Sequence, residues 1–135
     1  MKTDLFFILF FAAIIAVILF PFLFQGKIYA NLDTTSLFYP FFDFYHKAII
    51  NGESFLWNPF LFSGFSTYLS QSGGFFDPVN RLIFNFFDGI NGLHLRLFLD
   101  YFLVLVFSYL AGRAYGISRI ASSIIGMAYL SSFHI

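Results

Sequence analysis

Three apolar stretches divide the chain, and a long mixed segment separates the first from the second. Residues 5–24 carry no charge. At 1.5 Å per residue, about twenty such positions reach across a hydrocarbon core of about 30 Å. They predict transmembrane helix one, with Pro21 near its outer end, where a missing backbone donor costs least. A cleaved signal peptide is the competing reading, since Lys2 precedes the run and Ile28-Tyr29-Ala30 loosely fits a cleavage site. The stretch exceeds the usual signal core of about 7–15 residues, which favours an anchor.

Residues 93–112 predict a second span, although it carries Arg96 and Asp100. The two are one helical turn apart with the basic residue first, the weaker order for such a pair. Either they satisfy each other near the interface or they face a substrate. Residues 117–135 predict a third span whose Ser, Ala and Gly let helices approach closely in lipid. It stops without a flanking loop, charge or cap, so the chain is expected to be the N-terminal piece of a longer polytopic protein and inactive without the rest of the bundle.

The connection 25–92 is too aromatic and too rich in turn residues for a linker. From Ser36 to Asn51 the residues Leu37, Phe38, Phe41, Phe42, Tyr45, Ala48 and Ile49 repeat at helical spacing, with Tyr39, Asp43, His46 and Lys47 on the other face. This predicts an amphipathic helix lying in the membrane interface, stopped by Asn51-Gly52. An ordered loop follows, through Trp57-Asn58-Pro59, Ser63-Gly64 and Gln71-Ser72-Gly73-Gly74. Asp77-Pro78 then has the form of a helix cap followed by proline at the first helical position, with Asp88-Gly89 closing a short helix and Asn91-Gly92 turning the chain into the second span.

Composition agrees with these spans. The chain of 135 residues is 59% hydrophobic and 10% charged, against about 45–50% and about 25% in globular domains. A soluble domain could not cover that surface, so the expected class is an all-α membrane protein with three transmembrane helices. Seven basic residues balance seven acidic ones, which argues against nucleic acid as a partner. The absence of cysteine removes disulfides, thiolate nucleophiles and thiolate metal sites. Lys2, Arg113 and Arg119 sit in short segments, whereas Lys27, Lys47 and Arg81 are diluted over the long connection together with Asp33, Asp43, Glu53, Asp77 and Asp88. By the positive-inside rule the N-terminus is cytoplasmic and the loop 25–92 extracytoplasmic, in a multi-pass protein in contact with membrane lipid.

No soluble-enzyme fingerprint occurs, and His46, His94 and His134 are too scattered for a metal cluster. The candidate chemistry therefore falls on the external loop. Asp33 is its first acid, and two roles are open to it: a helix cap, shared with Thr34, Thr35 and Ser36, or a reactive carboxylate at the bilayer edge. Asn58, Gln71 and Asn80 suit either a polar ligand or turn capping. Tyr39 and Trp57 are further candidate ligand contacts, and Lys27, Lys47 and Arg81 are the loop's fixed cations, suited to lipid headgroups.

The order of these elements resembles the YfhO-like family of bacterial membrane proteins. The similar features are an Asp soon after helix one, Phe38-Tyr39-Pro40, Leu56-Trp57-Asn58-Pro59, Phe62-Ser63-Gly64, the run from Gln71 to Asn80, and Gly112-Arg113-Ala114-Tyr115-Gly116. The resemblance implies the GT-C glycosyltransferase architecture in the bacterial cytoplasmic membrane. It also implies transfer of a sugar from a polyprenyl-phosphate carrier to a cell-surface glycopolymer such as teichoic acid. On that resemblance Asp33 is the catalytic acid of the first loop, Asn58, Gln71 and Asn80 are candidates for sugar hydroxyls, and Lys27, Lys47 and Arg81 are candidates for the donor phosphate. Many enzymes of that architecture carry an acidic pair there, whereas Asp33 is followed by Thr34, so a divalent cation is an option for which no ligand is assigned. The alternative class is a non-enzymatic polytopic protein, a transporter module or an assembly subunit.

Overall fold

The computed structural model describes residues 2–25, 27–28, 33–69 and 74–131. The chain is mostly helical (75%), in line with the all-α class, and divides into two units, Met1–Pro21 with Leu97–Ile135 and Phe22–Arg96. In order come α1 (Lys2–Ile18), α2 (Phe20–Phe24), a π-helical turn (Thr34–Phe38), α3 (Tyr39–Asn51), β1 (Trp57–Asn58), β2 (Phe65–Ser66), a 3-10 turn (Thr67–Leu69), α4 (Pro78–Phe86), α5 (Gly89–Ala114) and α6 (Arg119–Ser131).

Among the described residues, α5 is the helix long and apolar enough to cross a membrane. The first apolar run is divided at Leu19 into α1 and α2, with Pro21 in the first turn of α2, where its missing N–H leaves no helical bond unmade. Helix α6 is described over 13 residues. Among the described residues one membrane-spanning length is seen where three were expected.

The unit of α1, the rest of α5 and α6 is joined by small residues and one ion cluster. Ser122, Ser123 and Gly126 are buried on α6. A Cβ on Gly112 would lie 2.7 Å from Ser122 Oγ, so α5 and α6 touch there because neither carries bulk. Asp4 is held by the Tyr109 hydroxyl at 2.9 Å and by Arg119 at 3.2 Å, with Arg113 Nε 3.6 Å away. Tyr109 is fully buried, with Phe7 and Phe11 ring centroids each 5.7 Å from its own.

The second unit has an aromatic core of Phe41, Phe42, Tyr45, Phe75 and Phe84. Phe42 and Phe84 stack at 4.6 Å, and the Tyr45 hydroxyl donates to the Phe75 carbonyl at 2.6 Å. The stripe on α3 thus faces α4 and the loop, which corrects its expected place in the interface. Enough rings lie on other segments of this unit to cover it, and protein contacts replace lipid ones. Tyr39, expected on the polar face, is buried as well and shares a 3.0 Å hydrogen bond with His94 Nε2. An exposed apolar stripe falls instead on α4, at Val79, Leu82 and Phe86.

Local signals hold where the chemistry is local. Gly52 ends α3 at φ 67°, its N–H reaching the Ala48 and Ile49 carbonyls. Asp77 caps α4 by accepting from Val79 N–H at 2.9 Å. Asp88, however, does not close α4; it caps α5, accepting from Ile90 and Asn91 N–H at 3.0 and 2.8 Å. Helix α5 therefore starts at Gly89 rather than 93, and Asn91-Gly92 is helical, not a turn. Close packing explains the glycine: a Cβ on Gly89 would lie 2.5 Å from Asp43 N.

Candidate functional site

The unit Phe22–Arg96 carries a groove of about 480 Å³ between α3 and the short β1–β2 hairpin. Helix α3 contributes Pro40, Asp43, Phe44, Lys47, Ala48 and Asn51, and the loop contributes Glu53, Asn58, Phe60 and Leu61. The residues of α3 stand together because i, i+3, i+4 and i+7 share one helical face. Lys47 Nζ binds Asp43 Oδ2 at 2.6 Å, an exposed i,i+4 pair that fixes both heads at the rim.

The hairpin holds Asn58 at the groove. Strands β1 and β2 pair antiparallel, Trp57 with Ser66 and Asn58 with Phe65. Thr67 anchors the base by donating its hydroxyl to the Phe55 carbonyl and its N–H to Leu56. Phe62, Ser63 and Gly64 turn the chain with positive φ at all three. At Gly64 a Cβ would lie 2.4 Å from the Trp57 ring, so the indole covers the turn only because glycine is there. Asn58 is fully buried; its Oδ1 accepts from Phe60 N–H at 2.9 Å, and its Nδ2 has no partner.

A second polar constellation joins α4 to the start of α5. Arg96 donates to Asp77 Oδ2 at 2.6 Å and to Asn80 Oδ1 at 2.9 Å, and Asn80 Nδ2 donates to the Gly74 carbonyl at 3.0 Å. Burial opposes ionisation of Asp77, but the Val79 N–H and the Arg96 guanidinium outweigh it and hold the carboxyl below its ordinary range. Asp88 is lowered likewise, burial being overcome by the donors of Asn91 and Ile90. His46 Nδ1–H donates to the Phe84 carbonyl at 2.7 Å, tying α3 to α4.

The candidate residues separate accordingly. Asp33 is exposed in helical geometry at the head of the π-helical turn, and its side chain makes no cap hydrogen bond. Asn58 lies at the groove. Tyr39 and Asn80 are buried in hydrogen bonds that brace the unit, while Trp57 and Arg81 are exposed. Gln71 lies outside the described residues. Asp43 and Glu53 were not singled out for a site by sequence, although the face that Asp43 shares with Phe44 and Lys47 was readable from the helical period; Lys47, a candidate for a lipid headgroup or a donor phosphate, is tied to Asp43. For Arg96, sequence spacing offered a pair with Asp100 or a substrate-facing role, and its contacts to Asp77 and Asn80 come from a separate element. Among the described residues no three His, Asp or Glu side chains converge on one point.

Comparison with family models, with curated proteins and with solved structures finds no match to this chain.

Proposed function

We propose that this chain works in a membrane as the N-terminal part of a GT-C-type glycosyltransferase, with the loop 25–92 outside the cytoplasm and Asp33 as general base. The observation that carries this reading is the state of Asp33: an exposed carboxylate that does no capping, at the head of a π-helical turn. Helices usually satisfy such ends with a side-chain cap, and π-helical turns recur at functional sites. Here the capping role that competes with catalysis is unused.

The chemistry needs little else from this segment. Asp33 accepts the proton of an acceptor hydroxyl as its oxygen attacks the anomeric carbon of a polyprenyl-phosphate sugar. The bond from that carbon to the phosphate oxygen breaks, the configuration inverts, and the carrier phosphate leaves with the electron pair. Lys27 and Arg81, both exposed, are the cations suited to meet that phosphate at headgroup level. The stripe Val79, Leu82 and Phe86 on α4 supplies an apolar face for the bilayer surface. A cell-surface glycopolymer is the acceptor class in this reading.

In native membranes, Asp33→Asn keeps side-chain size and capping ability and should lower sugar transfer by about 100-fold or more, the scale of general-base catalysis. Transfer at the wild-type rate would remove Asp33 from the reaction. Orientation is tested separately: Ser54→Cys should react with an impermeant thiol reagent in intact cells, and Ala114→Cys should not. The reverse pattern would overturn the topology.

A further inference from the structure

The groove between α3 and the hairpin has a chemistry of its own. Its fully buried Asn58 has committed Oδ1 to the Phe60 N–H and left Nδ2 without a partner. A buried donor left unmade costs about 1–3 kcal/mol, and such a group at the wall of a cavity is suited to a ligand that brings an acceptor. The rim offers the complement. Asp43 and Glu53 accept hydrogen bonds, and Lys47 donates while tied to Asp43 at 2.6 Å. Phe44 and Phe60 form an aromatic wall, their ring centroids 6.3 Å apart and their planes at 66°.

We propose that this groove binds a neutral, hydroxyl-rich ring of the sugar class. A hydroxyl both donates and accepts, so one ligand type satisfies Asn58 Nδ2, Lys47 and the two carboxylates together. The C–H face of a pyranose lies against aromatic rings, which an inorganic anion cannot use. Two acids against one base leave the rim with an excess negative charge, which disfavours phosphate or a uronic acid. The volume, about 480 Å³, falls in the range of small-molecule sites, about 300–1,000 Å³. For its purpose, holding the sugar or acceptor ring, the proposal rests on the glycosyl-transfer reading; for binding itself it does not.

The test is saturation-transfer NMR on the whole chain in nanodiscs, with methyl α-glucopyranoside, methyl β-galactopyranoside and N-acetylglucosamine as probes. Inorganic phosphate serves as competitor. At least one sugar should receive saturation on its ring C–H protons, and phosphate should not displace it. Asn58→Asp keeps the oxygen that caps Phe60 but loses the donor, and should raise the sugar Kd by about tenfold, the order of one hydrogen bond. Phe60→Ala removes an exposed wall and should weaken binding without disturbing the fold, as read by Trp57 fluorescence. Absence of transfer to every sugar, displacement by phosphate, or unchanged Kd in both variants would overturn the proposal. Asp33→Asn should bind sugar as wild type does. Sugar binding without transferase activity in wild-type membranes would sink the enzyme reading and support the groove; activity with no binding in the groove would do the reverse.

Discussion

The two units are held together by opposite means. In Phe22–Arg96 the centre is filled: Phe42 and Phe84 stack at 4.6 Å, and Phe41, Tyr45 and Phe75 close around them. In the unit of α1, α6 and the later part of α5 the decisive seam is emptied, with Gly112 against Ser122 and Gly126 under the Leu105 carbonyl. The first is the pattern of rings buried from water, and the second is a pattern of close backbone approach. Burying rings is favourable where the alternative is water, at about 25 cal/mol per Å². Between helices in lipid that driving force is missing, and close backbone approach with van der Waals contact replaces it. One unit should therefore fail when side chains are cut away, and the other when they are added.

The largest effect is expected from Phe84→Ala. Phe84 is fully buried in the aromatic core, and truncating such a ring costs about 3–5 kcal/mol. Hydrogen exchange should show lost protection across α3 and α4, and Trp57, the chain's single tryptophan, should report the same unfolding by fluorescence. Unchanged protection there would mean that the core is not what holds the unit.

Gly112→Val tests the opposite rule. Its Cβ would meet Ser122 Oγ at 2.7 Å and Cβ at 3.0 Å, and overpacking of this kind costs about 1–3 kcal/mol. Exchange should rise in α6 and the end of α5, while Phe107→Ala, which trims an exposed residue of the same unit, should change little. If the trimmed variant is the more damaged of the two, the contrast between the units is wrong.

Acid provides a milder probe of Phe22–Arg96. Asp77 and Asp88 both have folded-state pKa values held below the ordinary carboxylate value. The sign follows from linkage: the unfolded chain binds protons more readily, so the stabilisation is complete above about pH 4 and is lost as pH falls through the lowered folded values. Thermal unfolding followed by Trp57 fluorescence should shift to lower temperature below that pH. In Asp77→Asn, where Asn still caps the helix, the acid-dependent shift should shrink. A shift of wild-type size in that variant would assign the acid sensitivity elsewhere.

The smallest effect belongs to the groove's rim. Lys47 and Asp43 are 64% and 48% exposed, and such pairs are worth about 0.3–0.5 kcal/mol on a helix. Lys47→Met should leave the unfolding of Phe22–Arg96 almost unmoved. A loss comparable to that of Phe84→Ala would show that the unit depends on its charges more than on its rings.

Several features of this chain followed from sequence alone, and all are local. The stop at Gly52, the cap at Asp77 and the helical period of α3 depend on hydrogen bonds and spacings within a few residues, so composition at those positions is enough to read them. The apolar length of α5 is likewise a property of consecutive residues. Asp88 marks the limit: it suits a helix end as well as a helix start, and the contacts of Gly89 with α3 go with its use as a start. Which face of α3 is covered, why Tyr39 meets His94 across 55 positions, and why Arg96 reaches Asp77 across 19 were decided by tertiary structure. Asn58 belongs with these. Its sequence neighbours announce a turn, but only the packing of the hairpin on α3 buries the amide, leaves Nδ2 unpaired and turns a turn residue into part of a groove, because burial and partnership are set by elements the local sequence does not contain.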